Sequence, residues 1–235
     1  QMFCVNDGGV WKSTNRGTNW TNLNATLTLT QFYRMTSDPS NYLHLMGGTQ
    51  DNGTQRTLGS MNWTAAFGGD GGEVCFQSQD PMKILGETQN NGVQRSLNGG
   101  NNWSSATTGL SGSGAWVGPL ISHPDSADIF YTARAQVFKT TNAGALWFPI
   151  SSGTAGTIRE MDISRTNPKV MYATSGGQVY KSIDGGSNFT LVSTGMPTRT
   201  ITSVHAHPDS ENVVLVSFSG FGAGKAFIHG LSTGT

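Results

Sequence analysis

The hydrophobic residues of the chain fall in short runs rich in β-branched and aromatic side chains, and clusters of glycine, proline, asparagine and aspartate separate these runs. Examples are "IFYTAR" (129–134), "VMYATS" (170–175) and "ITSVHAH" (201–207). No window of about 11 residues or more keeps apolar side chains at the i, i+3, i+4, i+7 spacing of an amphipathic helix. The pattern therefore predicts an all-β protein.

A nine-residue pattern recurs along the chain, at "KSTNRGTNW" (12–20), "RSLNGGNNW" (95–103), "KTTNAGALW" (139–147) and "KSIDGGSNF" (181–189). Each copy has serine or threonine, then asparagine or aspartate, then glycine and an aromatic residue at fixed spacing. The matching residues are Ser13, Asn15, Gly17 and Trp20; Ser96, Asn98, Gly100 and Trp103; Thr140, Asn142, Gly144 and Trp147; and Ser182, Asp184, Gly186 and Phe189. With a shorter fifth copy, "RTLGSMNW" (56–63), the five hydroxyl residues lie 44, 39, 44 and 42 residues apart.

Proline-containing turns keep the same period. Their prolines lie 42, 43, 44 and 40 residues apart, at Pro39, Pro81, Pro124, Pro168 and Pro208. Because proline is excluded from central strands, each of these turns separates two strands. One repeat then holds four short strands, A to D, in about 40–45 residues, which is typical of one blade of a β-propeller. We expect a β-propeller of four-stranded antiparallel blades.

The repeats divide the chain into consecutive blades of one propeller segment, 1–235. We place them at 1–30, 31–68, 69–112, 113–154, 155–198 and 199–235, with the first and last blades partial. The two partial blades supply overlapping strands, so they do not combine into one blade. We therefore expect five to six blades of a larger ring of about seven, completed by further blades or domains of a longer parent chain.

The Ser-x-Asp-x-Gly-x-x-Trp pattern, in the turn between strands C and D, resembles the Asp-box, also called the bacterial neuraminidase repeat (BNR). That repeat occurs in sialidases, xyloglucan-degrading hydrolases, sortilin-like receptors and secreted bacterial surface proteins, so the resemblance implies the fold but not one activity. The phrases "TQDNGT" (49–54), "GGDGGE" (68–73) and "GETQNNGVQRS" (86–96) are also similar to secreted bacterial Asp-box proteins described as glycosyl-hydrolase-like. This similarity implies a bacterial, secreted or cell-surface protein.

The repeated residues themselves are predicted to be structural. Asparagine or aspartate accepts hydrogen bonds from turn amides, glycine supplies a positive φ, and the aromatic side chain covers the blade. Only Asp184 keeps the acid, whereas the other copies have Asn15, Asn98 and Asn142. An amide can accept a hydrogen bond but cannot act as a general acid or base, so we look for chemistry elsewhere.

Strand order places the B–C turns and the D–A connections on the opposite face of the propeller, where the repeats differ from one another. We expect a ligand to contact Asp51, Asn52, Gln89, Asn90, Asp70, Trp116 and Arg159. Candidates for catalysis are Asp70, Glu73, Asp51 and Asp7. Acids, amides and an aromatic side chain around a shallow opening suit a sugar, a cation or a peptide; for Asp70 and its glycines, the alternative is a role in shaping the turn.

Three functions fit these residues. The favoured hypothesis is a module that recognises a glycan or another ligand without catalysis. The second is a glycoside hydrolase that pairs Asp70 with Asp51 or Glu73, because such enzymes use two carboxylates roughly 5–10 Å apart. The third is a sortilin-like scaffold that binds a protein. A sialidase is improbable, because the resemblance would require an Arg-Ile-Pro stretch and three clustered arginines, and no such stretch occurs.

The composition of the chain argues against several further functional classes. The 14 basic and 14 acidic residues give zero net charge, which excludes the basic footprint of a nucleic-acid-binding protein. No apolar run reaches the roughly 18 residues of a membrane span, and we expect no signal peptide. Cys4 and Cys75 are predicted to be unbridged. His205 and His207 share one strand face, but His207 belongs to a turn, so we expect no metal site and no cofactor.

Overall fold

The computed structural model describes residues 1–6, 9–24, 30–151, 156–197, 199–220 and 227–232. These residues form 22 β-strands in six antiparallel sheets, and no α-helix occurs among them. The chain divides into two compact units, Gln1–Phe32 and Tyr33–Thr235. The all-β prediction is therefore confirmed.

The amino-terminal unit contains one three-stranded sheet. Its strands are β1 (Met2–Asn6), β2 (Gly9–Ser13) and β3 (Thr21–Asn22). The first two strands pair from Met2 opposite Ser13 to Asn6 opposite Gly9, and the third adds to the free edge of β2. Cys4, on β1, is exposed.

The larger unit contains five sheets, named I to V in chain order. Sheet I has β4 (Phe32–Asp38), β5 (Asn41–Thr49), β6 (Gly53–Leu58) and β7 (Thr64–Phe67). Sheet II has β8 (Gly71–Phe76), β9 (Ile84–Thr88), β10 (Gly92–Ser96) and β11 (Ser104–Ser105). Sheet III has β12 (Leu120–Ser122), β13 (Phe130–Ala133), β14 (Val137–Thr140) and β15 (Phe148–Pro149). Sheet IV has β16 (Ile158–Ile163), β17 (Met171–Ser175), β18 (Gln178–Ser182) and β19 (Thr190–Leu191). Sheet V has β20 (Thr200–His207), β21 (Ser210–Ser219) and β22 (Phe227–Ser232).

Within each sheet the strands follow chain order, and each pairs antiparallel with the next. The first strands of sheets II to V contact one another in succession, and Arg34 on β4 reaches β16 and β20, so the five first strands surround a central channel. Apolar clusters fill the space between neighbouring sheets, as at Leu85, Phe138 and Trp147 between sheets II and III. This arrangement is a β-propeller with sheets as blades.

Antiparallel order gives the propeller two unlike faces. The upper face carries the turns between second and third strands and the connections from one sheet to the next. The lower face carries the turns between first and second strands and between third and fourth strands. The two kinds of connection are therefore separated by the length of a strand.

The repeated residues form hydroxyl-centred turns on the lower face of the larger unit. Ser96 Oγ accepts a hydrogen bond from Gly100 N–H at 2.9 Å and donates to Asn98 Oδ1 at 3.0 Å, and that oxygen accepts Asn102 N–H at 2.9 Å. The copies at Thr140 and Ser182, and Ser13 in the amino-terminal unit, repeat the pattern. The glycine of each copy has a φ of 82 to 90°, which disfavours other residues.

Candidate functional site

Hydrogen bonds link four successive connections of the upper face. Asp51 N–H, in the β5–β6 turn, donates to Asp70 Oδ1 at 2.7 Å, and Asp70 N–H donates to Gln89 Oε1 at 3.0 Å. In the β9–β10 turn, Asn90 N–H donates to the carbonyl of Trp116 at 3.0 Å. These residues of sheets I and II and of the loop before sheet III therefore form one continuous surface, named the upper-face row.

The backbone of the two turns explains their sequence. Asp51 and Asn90 have φ values of 60 and 62°, a left-handed conformation that aspartate and asparagine tolerate better than most residues. In the first turn, Asn52 is exposed and its amide group donates to the carbonyl of Gln50 at 3.1 Å. In both turns a threonine hydroxyl donates across the turn to the carbonyl of a glycine. Rigid turns of this kind hold their outer side chains in place before a ligand binds.

Trp116 lies at the end of the upper-face row. The residue is 48% exposed. The loop that carries it rests on Asn91, because a Cβ at Gly114 would lie 2.4 Å from Asn91 Cβ and one at Gly118 would lie 2.5 Å from Asn91 Nδ2. The indole therefore faces solvent from a loop whose base is closely packed.

A buried acid that the sequence analysis missed supports this loop from below. Glu87, on β9, is fully buried, and its carboxyl group accepts hydrogen bonds from Glu73 N–H, Gly118 N–H and Asn91 Nδ2 at 3.0, 2.8 and 3.1 Å. Burial raises the pKa of Glu87 to about 8, although these N–H donors act in the opposite direction. The sequence does mark Glu87 as unusual, because the corresponding residue of the preceding repeat is Gly48 and not an acid.

Asn91 extends the support to sheet III. Its amide group donates to Thr132 Oγ1 at 3.0 Å, and its Oδ1 accepts Arg134 Nε at 3.3 Å. Arg134 Nη1 also donates to the carbonyl of Gly112 at 2.6 Å, at the start of the Trp116 loop. A polar network of buried and half-buried groups therefore fixes the surface around Trp116.

Glu73 lies in the channel instead of beside the Asp70 carboxylate. Arg34 Nε lies 3.5 Å from Glu73 Oε2, and Arg34 Nη2 contacts Glu160 Oε1. Burial raises the pKa of Glu73 to about 7; the positive charge of Arg34 opposes this and the negative charge of Glu160 adds to it. Burial likewise raises the pKa of Glu160. The structure thus groups Glu73 with Glu160 around one guanidinium group.

The remaining predicted residues lie elsewhere. Arg159, at the start of β16, is exposed and lines a separate cavity of the upper face between sheets IV and V. Asp7 lies outside the described residues. Asp51, Asp70, Gln89, Asn90 and Trp116 are thus brought together, and Arg159 and Glu73 are not part of their row.

The described ranges contain no group of three or more histidine, cysteine, aspartate or glutamate residues placed to hold a metal ion. Both cysteines are free thiols. Over the same ranges, we find no helix of the length and apolar character that a membrane crossing requires.

Comparison with known proteins found similarity in structure alone. No family model matches the chain, and no curated protein matches it. An ancestral GH74 enzyme superposes with a TM-score of 0.68 over 92% of this chain, at 21% identity. YCF48 from Cyanidioschyzon merolae gives 0.60 over 86% at 14% identity, and a GH74 xyloglucanase from Xanthomonas campestris gives 0.57 over 85% at 16% identity. At these identities the likeness shows the β-propeller fold alone.

The chain spans only part of these proteins. It corresponds to 32% of the ancestral GH74 enzyme, 38% of the xyloglucanase and 71% of YCF48.

Proposed function

We propose that this chain is the recognition segment of a β-propeller and that its upper-face row binds a carbohydrate without cleaving it. The observation that carries the proposal is the exposed indole of Trp116 at the end of a row of amides and carboxylates that rigid turns hold in place. Sugars present apolar C–H faces and hydroxyl edges, so they suit an aromatic surface beside donors and acceptors.

The rigidity of the row supports binding. Asp70, Gln89 and the Trp116 carbonyl are already engaged in hydrogen bonds within the protein, so little conformational freedom is lost when a ligand arrives. Asn52 and Asn90 are exposed, and they offer the amide donors and acceptors that hydroxyl groups require.

The names of the structural neighbours support a carbohydrate in preference to a protein ligand. Two of them are a GH74 enzyme and a GH74 xyloglucanase. Another is YCF48 bound to D1 peptide, which is the basis for the alternative of a protein-binding scaffold. We favour the sugar because the aromatic surface is one tryptophan set among polar groups, and a peptide site is usually larger and more apolar at its centre.

Binding without hydrolysis is proposed because of the positions of the carboxylates. The Asp70 carboxylate accepts the Asp51 amide, as expected for a residue that shapes a turn. The guanidinium group of Arg34 lies against both Glu73 and Glu160, in the space that a scissile bond between two catalytic acids would need.

The hydrogen bonds of the hydroxyl-centred turns support assigning these repeats to the Asp-box type. If so, the resemblance described for the sequence also favours a secreted or cell-surface bacterial protein. Secretion is tested by fractionating cells that express the full parent gene. Protein found only in the cytoplasm would contradict this part of the proposal.

The binding proposal is tested with Trp116→Ala on an array of neutral oligosaccharides that includes xyloglucan fragments. We expect affinity for the bound glycan to fall at least about tenfold, because aromatic contacts of this size contribute roughly 1.5 kcal/mol or more. Trp63→Ala, a similarly exposed tryptophan of the lower face, is the matched control and should bind as the wild type does. A wild-type protein that binds no glycan, or a Trp116→Ala protein of unchanged affinity, would contradict the proposal.

A further inference from the structure

The cavity that Arg159 lines opens on the upper face between sheets IV and V. Its volume is about 850 Å³, and polar groups make up much of its wall. The side chains that matter are Arg159, Thr174, Gln178, Arg199 and Ser219. Among the described residues that line the cavity, two are arginines and none is acidic.

A β-bulge turns Arg159 toward this cavity. Ile158 pairs with Ser175 and Glu160 pairs with Thr174, so Arg159 is the extra residue between the two pairs. Glu160 N–H donates to Thr174 Oγ1 at 3.2 Å, which fixes the strand just after the bulge. Bulges redirect side chains and are frequent beside functional sites. Glu160 can therefore face the channel while the neighbouring Arg159 lines the cavity.

Glycines make room for the second guanidinium group. A Cβ at Gly220 would lie 2.7 Å from Arg199 Nη1, and one at Gly177 would lie 3.2 Å from the Arg199 carbonyl. Both glycines line the cavity. Any larger residue at 220 would displace the Arg199 head group from the wall.

The cavity is connected to the Trp116 loop through sheet III. Ile158 N–H donates to the carbonyl of Arg134 at 2.7 Å, and Arg134 Nη1 donates to the carbonyl of Gly112 at 2.6 Å. The row thus begins with acids, Asp51 and Asp70, and the same face ends in arginines. An oligosaccharide lying along it would meet negative charge at one end and positive charge at the other.

We propose that the cavity binds the carboxylate of an acidic sugar, a uronic acid residue of the glycan that the upper-face row holds. Guanidinium groups match the planar geometry of a carboxylate and can bind it through paired hydrogen bonds. The hydroxyl and amide groups of Thr174, Gln178 and Ser219 suit the sugar hydroxyls. This inference rests on the proposed carbohydrate function and names the class of sugar.

The test compares a uronic-acid oligosaccharide with its methyl ester, which has the same shape but no charge. We expect the wild-type chain to bind the acid at least about tenfold more tightly, and this preference to weaken as salt is added. Arg159→Gln and the double variant Arg159→Gln/Arg199→Gln should lose the preference while they keep their affinity for the ester. Arg165→Gln, an exposed arginine on the lower face, should change neither affinity.

The monosaccharide glucuronate tests the cavity separately from the carbohydrate proposal, because it can bind in the cavity without contacting the upper-face row. Wild-type protein that binds the acid and the ester equally, or a double variant that keeps the preference, would overturn the inference and leave the carbohydrate proposal standing. Glucuronate that shifts the arginine Nε resonances of a protein that binds no oligosaccharide would support the cavity and contradict the wider proposal. Glucose 6-sulfate that binds as tightly as glucuronate would overturn the assignment to a carboxylate.

Discussion

At the scale of single residues, the hydroxyl-centred turns show that the hydrogen-bond acceptor at their third position does not need a charge. Asn98, Asn142 and Asp184 occupy the same place and accept the same backbone N–H four residues later through Oδ1. Only Asp184 adds a second oxygen, which accepts the side-chain amide of Asn188 at 2.7 Å. The shared part of the geometry depends on one oxygen, so an amide replaces the acid without loss of the turn.

The charge of Asp184 should change the pH dependence of stability in the acid range. Hydrogen bonds from the backbone and side chain of Asn188, and from Ser182, lower the pKa of Asp184 to about 2 from an ordinary value of 3.8. A carboxyl group with a lowered pKa in the folded state stabilises the fold above its unfolded pKa, and this stabilisation is lost as the pH falls toward 2. We expect Asp184→Asn to be less stable than the wild type in urea at pH 7, because the amide cannot accept the Asn188 side-chain bond, and to lose less stability between pH 4 and pH 2.

The converse substitution, Asn98→Asp, is the matched control, because the same turn then gains the acid. Its loss of stability below pH 4 should exceed that of the wild type. Equal slopes for all three proteins between pH 4 and pH 2 would show that the hydrogen bonds of Asp184 do not favour its charged form.

At the scale of elements, close packing explains the glycine-rich connection between sheets I and II. Gly72, at the second position of β8, lies against the carboxyl group of the buried Glu87, and a Cβ there would be 2.6 Å from Glu87 Oε1. Gly68, only four residues earlier, has no atom within 4 Å of such a Cβ. The run of glycines thus contains one position with no room for a side chain, Gly72, and one with open space, Gly68.

We therefore expect Gly72→Ala to lower the free energy of unfolding by about 2 kcal/mol or more, because Glu87 must move and give up hydrogen bonds in a buried site. Gly68→Ala should change it by less than about 0.5 kcal/mol. Urea unfolding of both variants at pH 7 measures the difference. Equal stability of the two variants would show that Glu87 has room to adjust.

The sequence predicts the strands and their order well, because turn chemistry at proline, glycine and Asx residues repeats from blade to blade. It also indicates that Asp51, Asp70 and Gln89 share one face, since strand order alone assigns their loops. It does not predict that Glu73 turns into the channel toward Arg34. A register shift between Gly71 and Val74 alters the alternation of β8, and such bulges leave little trace in a sequence.

The supporting residues are harder to predict than the surface they support. Glu87 and Asn91 act through partners on β8, on the Trp116 loop and on β13, and those partners become neighbours only when the sheets pack. Arg199 likewise joins Arg159 in one cavity only across sheets IV and V. The sequence period describes the strands within one blade, so it does not predict which residues of different blades contact each other.

At the scale of the whole molecule, the zero net charge conceals a separation of charges. Acids lie at the start of the upper-face row, and arginines line the separate cavity between sheets IV and V. Glu87 is fully buried, and Glu73 and Glu160 are partly buried around Arg34. These three glutamates have raised pKa values, chiefly because burial disfavours the charged form. The interaction with Asp162 also raises the pKa of His205. All four groups hold protons more tightly in the folded chain than in the unfolded chain.

The stability of the chain should therefore fall as the pH rises from about 5 to about 8. The folded pKa values of Glu73 and Glu87, about 7 and about 8, exceed the ordinary value of 4.5, so the folded state binds more protons than the unfolded state throughout this window. Their contribution to stability is complete below pH 4.5 and is lost as the pH passes the folded values. For one such proton the slope is on the order of 1.4 kcal/mol per pH unit. Urea midpoints at pH 5, 6, 7 and 8 should decrease in that order, and Glu87→Gln should flatten the decrease because the amide does not titrate. A midpoint that stays constant or rises over this range would mean that the three N–H donors around Glu87 outweigh its burial and keep it charged.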